Sequence, residues 1–414
     1  MSGAVYVIGA GLAGLAAATA LAERGCRVEV IEAAAQAGGR CRSYVDPQLG
    51  VTIDNGNHLV LSGNHAIMAY LDRIDARDRL AGPDEAVFDY LDLAAGQRWT
   101  LRPNAGPLAW WVLSPARRVP GTKAADYLAL AGLLAPQGDK RVDQAIRCQG
   151  PLWDRLLESF LLAALNTAPK AGSAELAAAV VRETLALGGR HYRPRVASPH
   201  LGAAFVDPAL AFLAARGAAV SLSQRLRAIE TADGRASALV LADRRIDLGP
   251  GDQVILAVPP WVAADLMPGL TVPDRFTAIV NAHFLQAPPP GAPAILGLIG
   301  GTAEWVFAFD DRLSVTVSGA GALADRDRED LARLLWADVA KAHGLDAATL
   351  PPWQIVKEKR ATFEATPAQN RRRPPARTAL ANLVLAGDWT ATGLPATIEG
   401  AVRSGHRAAQ IVAS

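Results

Sequence analysis

Three glycines near the start of the chain have the spacing of a dinucleotide-binding turn. Gly9, Gly11 and Gly14 form G-x-G-x-x-G directly after an apolar run at residues 5–8, and an Ala/Leu-rich helical pattern follows to about residue 23. In such a turn the first glycine permits the tight bend, the second lets the backbone approach a pyrophosphate, and the third lets the helix pack closely on the strand. The free amides and the positive dipole end of the helix would then hold the phosphates.

An acidic residue follows at the place where a ribose would lie. Residues 27–31 are a second apolar run that predicts a strand, and Glu32 comes directly after it. A carboxylate roughly twenty residues beyond the glycines accepts hydrogen bonds from ribose hydroxyls. It also repels a 2′-phosphate, which disfavours NADP at this site. A glycine-tolerant core helix would not need that acid, so the pattern predicts dinucleotide binding.

A second glycine pair follows the acid within a few residues. Gly38, Gly39 and Arg40 complete the pattern ExxxxxGGR. The two glycines allow a tight turn that would bring a guanidinium beside the pyrophosphate, and arginine suits this role as a planar, permanently charged donor. An ordinary solvated turn is the alternative. The position directly after a nucleotide-binding unit favours the phosphate clamp.

The far end of the chain supplies a third piece. Residues 383–386 predict a short buried strand that ends at Gly387 and Asp388. Pro395 is expected to open the last helix, as proline does at the first helical position. The start of that helix would be available to an electron-rich ring. Small residues lie on one face of the helix: Ala401, Gly405 and Ala408.

These paired motifs, GAGLAG…E…GGR and GDW…PATIEGAVRSG, resemble those of the flavin amine oxidase / phytoene desaturase superfamily. The resemblance covers the chain from end to end and implies FAD. Because no histidine or cysteine lies in a recognisable attachment motif, we expect the flavin to be bound mainly without a covalent link. It implies that Asp388 contacts the ribityl–pyrophosphate region. It also implies that the first amides of the last helix face the pyrimidine end of the flavin. The segment GLIGG at residues 297–301 lacks the spacing and the acid, so no separate nicotinamide site is predicted.

The superfamily resemblance extends to two further positions. Leu226 ends a strand predicted at residues 218–226 and occupies the place where the superfamily touches the adenine. Gly56, Asn57 and His58 lie in a loop that the superfamily places near the flavin ring. The full set of FAD-binding residues that the resemblance implies is Gly9, Gly11, Leu12, Ala13, Gly14, Glu32, Ala33, Gly39, Arg40, Gly56, Asn57, His58, Leu226, Gly387, Asp388, Ala396, Thr397 and Ile398.

Composition excludes several classes of protein. The chain has 414 residues, a formal net charge of +2 and no basic tract, so a nucleic-acid partner is not expected. No apolar run reaches the roughly eighteen residues of a spanning helix. The chain begins at once with a strand, so no signal peptide is expected. The three cysteines are scattered and the seven histidines show no metal-ligand spacing, which indicates a reducing cytosol and no metal site.

The fold class predicted is α/β: a Rossmann-type FAD-binding domain with mixed sheets and an inserted α+β substrate domain. The FAD-binding domain is expected to be discontinuous, formed by residues 1–65, 202–265 and 374–414. The substrate domain is expected to be formed by the two insertions, residues 66–201 and 266–373. Two proline-rich segments, QAPPPGAP at residues 286–293 and RRRPPAR at residues 371–377, predict loops at the margins of the substrate domain.

A narrower resemblance rests on four segments. LLAALNTAPKAGSAELAAAVVRETL (161–185), DNGNHLVLSG (54–63), AVPPW (257–261) and IVNAHF (279–284) resemble the hydroxysqualene dehydroxylases of hopanoid biosynthesis. The ALNT-P-x-x-S element is the specific one. LGAAF at residues 201–205 departs from the usual pattern of that group, which leaves the local loop uncertain. The resemblance implies a reductive reaction, in which an allylic alcohol loses water and reduced flavin delivers hydride from N5 to give squalene.

Protonation of the leaving hydroxyl needs an acid. Asp54 and His58 are the candidates, as a buried carboxyl with a raised pKa or a histidine near neutrality. The alternatives are a carboxylate that holds a turn, for Asp54, and a hydrogen-bonded neighbour of the flavin, for His58. His191 and Tyr192 are further candidates. The sequence leaves this choice open.

The segment at residues 106–121 suggests contact with a membrane. Trp110 and Trp111 lie shortly before Arg117 and Arg118, and amphipathic aromatics beside basic residues suit a bilayer interface. A core helix with a solvated end is the alternative. Because the substrate would be a long isoprenoid, we expect a cytoplasmic protein attached peripherally to the inner face of the cell membrane. An external electron donor and other enzymes of the squalene pathway are further expected partners.

Two other functions would fit much of this pattern. A carotenoid-type desaturase of the same superfamily would have an equally apolar substrate channel. A non-catalytic escort protein that binds isoprenoids would share the fold, but it would not need the complete flavin signature at both ends of the chain.

Overall fold

A computed structural model describes residues 3–414 of the chain. Twenty strands and twelve α-helices are present in this part, with short 3₁₀ and π-helical turns between them. The strands are β1 (Ala4–Ile8), β2 (Arg27–Ile31), β3 (Ser43–Val45), β4 (Thr52–Asp54), β5 (Leu59–Leu61), β6 (Leu80–Ala81), β7 (Phe88–Asp92), β8 (Gln97–Leu101), β9 (Pro194–Ala197), β10 (Ala219–Ser221), β11 (Leu226–Ala232), β12 (Arg235–Leu241), β13 (Arg245–Asp247), β14 (Gln253–Leu256), β15 (Phe276–Phe284), β16 (Ile295–Ile299), β17 (Trp305–Ala308), β18 (Leu313–Val317), β19 (Trp353–Phe363) and β20 (Leu383–Leu385). The helices are α1 (Leu12–Glu23), α2 (His65–Arg73), α3 (Ala131–Leu134), α4 (Val142–Ala145), α5 (Glu158–Leu165), α6 (Ala174–Glu183), α7 (Asp207–Ala214), α8 (Pro260–Leu266), α9 (Gly321–Ala324), α10 (Arg328–His343), α11 (Pro367–Asn370) and α12 (Ile398–Ala413).

The two ends of the chain meet in one parallel sheet. Its strand order is β10-β2-β1-β14-β20, and each neighbouring pair is parallel. The strands predicted at residues 5–8 and 27–31 and the helix predicted to about residue 23 are confirmed as β1, β2 and α1. Parallel strands are buried on both faces, which explains why these strands are almost wholly apolar.

The last helix packs directly on the first. A Cβ atom added at Gly405 of α12 would lie 2.2 Å from the carbonyl oxygen of Ala13 in α1. Only glycine therefore allows this approach of the two backbones. The start of α12 differs from the prediction, because the helix begins at Ile398 with Thr397 as its N-cap, and Pro395 lies outside it. The hydroxyl of Thr397 accepts a hydrogen bond from the amide of Gly400 at 3.0 Å, and this cap sets the helix start.

The prediction of a single strand over residues 218–226 is wrong. β10 ends at Ser221, Ser223 takes a left-handed conformation with φ of 57°, and Leu226 begins β11 in a separate three-stranded sheet. The left-handed residue turns the chain out of the parallel sheet. The pattern of apolar residues alone did not show this break, because it does not reveal the left-handed conformation of Ser223.

The second large sheet has seven strands in the order β19-β15-β18-β17-β16-β7-β8. Side chains alternate across it, so that Val280 and Val315 pack with Leu335 of α10 on one face. Asn281 and Thr316, one residue further along each strand, point to the other face.

Each strand of the seven-stranded sheet falls within residues 66–201 or 266–373, and each strand of the parallel sheet falls within the three flanking segments. The exact boundaries between the two parts remain predictions.

The helices of the first insertion are irregular. Residues 151–169 contain a π-helical turn at Trp153–Leu157 followed by α5, and Asn166 ends this helix in a left-handed conformation with φ of 48°. The segment at residues 125–135 is mainly a 3₁₀ turn followed by α3. Among residues 3–414, no helix has the length and apolar character needed to cross a membrane.

Candidate functional site

The three glycines of the first turn have different surroundings. A Cβ atom at Gly9, which has φ of 106°, would lie 2.5 Å from the carbonyl oxygen of Ala257, and one at Gly14 would lie 1.9 Å from that of Gly9. A Cβ atom at Gly11 would meet nothing within 4 Å. Gly9 and Gly14 are therefore required by packing within the protein. Gly11 faces open space, as the approach of a pyrophosphate requires.

The start of α1 offers unpaired donors beside that space. Within the part of the chain that the structure describes, the amides of Leu12, Ala13 and Gly14 have no acceptor from the protein. Unpaired amides at a helix N-terminus bind anions, and the helix dipole adds to the attraction. The turn therefore fits the phosphates of FAD.

Glu32 is held against the same turn by two backbone amides. One carboxylate oxygen accepts from the amide of Ala10 at 2.7 Å and the other from the amide of Ala34 at 2.8 Å, and Ala33 lies between Glu32 and Ala34 in the chain. Each oxygen keeps a further lone pair, so the carboxylate can also accept from ribose hydroxyls. The chain passes close to Glu32 just before Leu226, because the amide of Gln224 donates to the carbonyl of Glu32 at 2.8 Å. Leu226 follows two residues later and is buried.

Arg40 and Asp388 form an ion pair that joins the two ends of the chain. Their closest nitrogen and oxygen atoms are 2.7 Å apart, and Arg40 also donates to the carbonyl of Ala361. Gly39 has φ of 56°, and a Cβ atom added there would lie 3.3 Å from the Cα of Gly11. The GGR turn therefore lies against the glycine turn. The Arg40 side chain remains 41% exposed while that of Asp388 is 7% exposed. The arginine is therefore oriented by its partner and still accessible to a ligand.

A second arginine, which sequence reasoning missed, supports Asp388 from behind. Arg373 donates to the backbone carbonyl of Asp388 at 2.9 Å and to the hydroxyl of Thr392 at 2.8 Å. Its guanidinium lies over the ring of Phe363, 4.8 Å from the centroid. Burial lowers the pKa of Arg373 to about 10. The sequence around it, RRRPPAR, indicated only a loop.

The start of α12 offers a second set of unpaired donors. Across residues 3–414, the structure gives the amides of Ala396, Thr397 and Ile398 no protein acceptor. The preceding strand is fixed to the helix, because the amide of Gly387 donates to the hydroxyl of Ser404 at 2.8 Å. These amides fit the role expected for the pyrimidine end of the flavin.

The loop that carries Gly56, Asn57 and His58 is held by the seven-stranded sheet. The side chain of Asn57 donates to the hydroxyl of Thr316 at 3.1 Å. The backbone amide of Asn57 donates to the side-chain oxygen of Asn281 at 3.4 Å. A Cβ atom at Gly56 would lie 3.1 Å from the side chain of Asn281. Asn281, another residue that sequence reasoning did not single out, is thus the central contact between this loop and the sheet.

The carboxylate of Asp54 is occupied by structural contacts. One oxygen accepts from the hydroxyl of Ser43 and from the amide of Leu201 at 3.0 Å, and Ser43 in turn accepts from the amide of Gly202. Burial raises the pKa of Asp54, and these hydrogen bonds oppose the rise. The backbone carbonyl of Asp54 accepts from His283 at 3.1 Å. This geometry favours the alternative of a carboxylate that holds the loop.

His58 lies in a setting that keeps it neutral. Burial, together with the nearby charge of Arg40, lowers the pKa of His58 to about 4. At pH 7 its protonated form is scarce, so His58 is a poor general acid and a good neutral neighbour for a flavin. The other two candidates pack in the insertion, His191 edge-on to His65 and Tyr192 stacked on Phe88. The catalytic roles of Asp54 and His58 stay predictions.

Comparisons with known proteins agree with this geometry. A sequence model of the family described as flavin containing amine oxidoreductase matches residues 12–413. The hydroxysqualene dehydroxylase of Rhodopseudomonas palustris is 55% identical over 413 residues, covering 100% of this chain and 99% of that protein. The hydroxysqualene dehydroxylase of Sinorhizobium fredii is 52% identical, covering 99% of this chain and 98% of that protein. The chain belongs to the flavin-containing amine oxidoreductases, in the hydroxysqualene dehydroxylase group.

Membership of this family confirms the predicted cofactor, FAD, and the enzyme class, an FAD-dependent oxidoreductase. The fold agrees as well: a putrescine oxidase variant redesigned in its cofactor binding superposes with a TM-score of 0.72 at 19% identity, covering 99% of each chain. The predicted α/β fold class, with its FAD-binding domain, is thereby confirmed.

The ALNT element, which pointed to the dehydroxylase group, has a structural role. The side chain of Asn166 accepts from the amide of Gly319 at 2.7 Å and donates to the hydroxyl of Thr362 at 2.9 Å and to the carbonyl of Thr277 at 3.3 Å. Thr167 accepts from the amide of Ala365 at 2.8 Å. The element therefore joins the helical insertion to the end of the seven-stranded sheet. It touches neither the glycine turn nor the Arg40 pair.

Aromatic rings cover part of the sheet face that carries Asn281. Tyr90 stacks on Trp99 with centroids 5.5 Å apart and meets Trp305 edge-on at 5.7 Å. Gly297 makes room for this arrangement, because a Cβ atom there would lie 2.6 Å from the ring of Tyr90. The faces of such rings attract cations.

Glu304 is a carboxyl group at the end of this sheet that sequence reasoning missed. It directly precedes Trp305, and one of its oxygens accepts from the amide of Ser318 at 2.8 Å. Burial raises the pKa of Glu304 to about 7, and its hydrogen bonds from Ser318 oppose the rise. A single acid in an apolar stretch gave no signal in the sequence.

Proposed function

We propose that this flavoenzyme removes the hydroxyl group of hydroxysqualene to give squalene. The observation that carries the proposal is the full-length similarity to hydroxysqualene dehydroxylases described above. The carotenoid-type desaturase and the non-catalytic escort protein are not favoured by that similarity. A flavin site with donors prepared at both helix starts also argues against an escort.

The residues of the chain divide the work of holding the cofactor. The amides at the start of α1 hold the pyrophosphate, Glu32 accepts from the adenosine ribose, and Arg40 with Asp388 positions the ribityl–pyrophosphate region. The amides at the start of α12 meet the pyrimidine end of the ring. When bound and reduced, FAD supplies the two electrons that the net reaction consumes. No second dinucleotide motif is present in the sequence, so we infer an external electron donor.

The substrate part of the protein has to exclude water and stabilise positive charge. Loss of water from an allylic alcohol leaves a cation that water would capture. The rings of Tyr90, Trp99 and Trp305 lie in one buried apolar cluster, and their faces suit such a cation. The cluster also includes Leu161 and Leu165 of α5, whose sequence is almost wholly apolar.

The leaving hydroxyl needs a proton donor, and three side chains come into question. Asp54 is occupied by Ser43 and Leu201, and His58 is neutral at pH 7. Glu304 directly precedes Trp305 in the chain, and one of its two oxygens accepts from the backbone amide of Ser318. A carboxyl group that is protonated at neutral pH can donate its proton to an alcohol and recover it from water. We therefore put Glu304 ahead of Asp54 and His58 as the acid to test first.

The protein is also proposed to act at the cytoplasmic face of a membrane. Both the substrate and the product are long hydrocarbons that reside in a bilayer, so the enzyme has to reach them there. Other enzymes of the squalene pathway that act at the same membrane are the proposed neighbours.

The test is turnover by the purified protein. Reduced FAD with hydroxysqualene is expected to give squalene, and oxidised FAD with phytoene is expected to give no desaturated product. Protein stripped of FAD and assayed in parallel is the control. Desaturation of phytoene without reduction of hydroxysqualene would replace this proposal with the desaturase. Squalene formed by the stripped protein would remove the flavin from the reaction.

A further inference from the structure

The exposed apolar side chains of this protein are concentrated on one surface. Large hydrophobic residues that are strongly exposed include Leu108 (79%), Leu113 (69%) and Leu128 (72%), with Trp110 at 49%. All four lie within residues 108–128, a stretch of the first insertion. Scattered exposed leucines need no explanation, but a group of them marks a surface that is covered in function.

Hydrogen bonds bring a second, distant segment to the same surface. The amide of Gly189 donates to the carbonyl of Asn104 at 2.9 Å, and that of Arg190 donates to the carbonyl of Ala105 at 3.1 Å. A Cβ atom at Gly188 would lie 2.2 Å from the backbone of Gly106. Leu187, which is 40% exposed, therefore lies beside the segment that carries Leu108. We call this surface, formed by Leu108, Trp110, Leu113, Leu128 and Leu187, the leucine surface.

Buried residues hold the leucine surface in place from below. Trp111 is 7% exposed and meets the ring of Tyr127 edge-on, with centroids 5.2 Å apart. The side chain of Asn104 donates to the carbonyls of Gly106 and Leu108 and accepts from the amide of Trp111. The expectation that Trp111 contacts a membrane is therefore wrong, because its ring fills the space under the surface. Its neighbours point outward on a fixed support.

The charge of the segment is positive. Residues 102–134 contain Arg102, Arg117, Arg118 and Lys123 but a single acid, Asp126. The carboxylate of Asp126 is used locally, because it accepts from the amide of Lys123 at 2.7 Å.

Arg117 and Arg118 of this segment are not paired with acids. Arg117 donates to the carbonyl of Arg102 and lies over the ring of Trp110, 4.9 Å from its centroid, and Arg118 donates to the carbonyl of Val112. Neither of them takes part in an ion pair among the described residues. Guanidinium groups without a carboxylate partner attract phosphate groups of lipids.

The residues under the leucine surface belong to the apolar interior of the substrate part. Trp111, Tyr127 and Val119 are members of the same buried cluster as Tyr90 and Trp305. The leucine surface therefore lies over the cluster that contains the aromatic rings.

We propose that the leucine surface inserts into the outer part of an anionic bilayer and is the place where the long isoprenoid enters. The leucines and Trp110 occupy the boundary between headgroups and acyl chains, while Arg117 and Arg118 contact anionic headgroups. The bilayer is the occupant that the observations favour, because apolar side chains and unpaired cations occur together. This inference rests on the proposed function for the identity of the isoprenoid, and on the surface alone for the bilayer.

The test is flotation with vesicles of phosphatidylcholine, with and without phosphatidylglycerol, using the FAD-loaded protein. The wild type is expected to float with anionic vesicles, less so at high salt. The variant Leu108→Ser/Leu113→Ser/Leu128→Ser is expected to bind the anionic vesicles at least about tenfold more weakly than the wild type, because three leucines that would be buried in lipid are lost. Val45→Ser is the matched control, because Val45 is 67% exposed and lies outside this surface. Retained FAD and an unchanged melting temperature show that each variant is folded, and Leu128→Ser alone serves if the triple variant is not.

A second readout separates this inference from the proposed function. The triple variant is expected to lose turnover of hydroxysqualene held in vesicles and to keep turnover of the same substrate dispersed in detergent. A wild type that floats but never reduces hydroxysqualene removes the proposed function and leaves the surface intact. Equal flotation of wild type and triple variant overturns the inference. So does a lipid-free oligomer that the triple variant dissociates, because the occupant would then be a second copy of the chain.

Discussion

Arg40 and Asp388, separated by 348 positions in the chain, form the ion pair that closes the FAD-binding domain. The pair joins the GGR turn to the segment before α12, and Arg373 holds the backbone of Asp388 from the other side. The ion pair therefore holds the two parts of the FAD site in fixed positions relative to each other.

The pair is expected to act as a unit in FAD binding. Arg40→Ala and Asp388→Asn should each weaken FAD binding by about tenfold or more, since a loss of about 1.4 kcal/mol is tenfold in affinity. The double variant should bind FAD only a little more weakly than the more impaired single variant, because the effects of substituting two residues in contact are not additive. Flavin fluorescence on titration of the stripped protein measures each dissociation constant. Asp325→Asn, at an exposed ion pair with Lys359, is the control and should leave FAD binding unchanged.

Glu32 is expected to be essential for FAD retention. Glu32→Arg replaces the acceptor of two backbone amides with a cation and should give a protein that purifies without yellow colour. The ratio of flavin to protein absorbance in the purified sample measures the loss. Glu85→Arg makes the same change at an exposed position and should stay yellow. A fully yellow Glu32→Arg protein would show that the ribose is held elsewhere.

Asn166 is expected to matter for stability and not for chemistry. Asn166→Ala removes three side-chain hydrogen bonds at a left-handed position and should destabilise the protein by about 2–4 kcal/mol. Asn166→Gly loses the same bonds but tolerates the backbone conformation, so it should be about 1 kcal/mol less harmful. Urea unfolding followed by circular dichroism compares the midpoints. Identical midpoints for the two variants would deny the contribution of the backbone conformation.

Glu304 is expected to control the pH dependence of turnover. The acid form is the active one, and with a pKa of about 7 it is lost as the pH rises, so kcat should fall on going from pH 6 to pH 8. Glu304→Gln keeps an acceptor for Ser318 and should lower kcat by about a hundredfold or more, the scale of a lost general acid, and flatten the profile. Glu304→Asp should recover part of both. Asp338→Asn is the control, because the carboxylate of Asp338 accepts from the amides of Thr302 and Ala303, which directly precede Glu304. This variant should change kcat and its pH profile little.

The same assay decides among the other acids. If Glu304→Gln keeps full turnover and the same pH profile, the role passes to His58 or Asp54. His58→Ala should then retain FAD and slow turnover about a hundredfold. Asp54→Asn would be harder to interpret, because Asp54 holds Ser43 and Leu201.

The sequence by itself determined the local parts of this protein. The glycine turn, the acid after β2 and the helix between them follow rules of spacing and sterics that act over about thirty residues. Gly9 and Gly14 are glycines because their neighbours leave no room for a Cβ, and that requirement belongs to the turn itself. The motifs at both ends of the chain therefore identified FAD and the family.

Only the tertiary structure decided which side chains are free to act. Asp54, Asn166 and Trp111 all stood out in the sequence, and all three are engaged by other residues of the protein. The partners of Asp54 and Asn166 lie far away in the chain, and Tyr127 covers the ring of Trp111. Arg373, Asn281 and Glu304 did not stand out, because their significance lies in a partner or a burial that arises only when distant strands pair. Burial and pairing depend on the whole fold, since an ionisable group takes its pKa from the atoms around it and not from its neighbours in sequence.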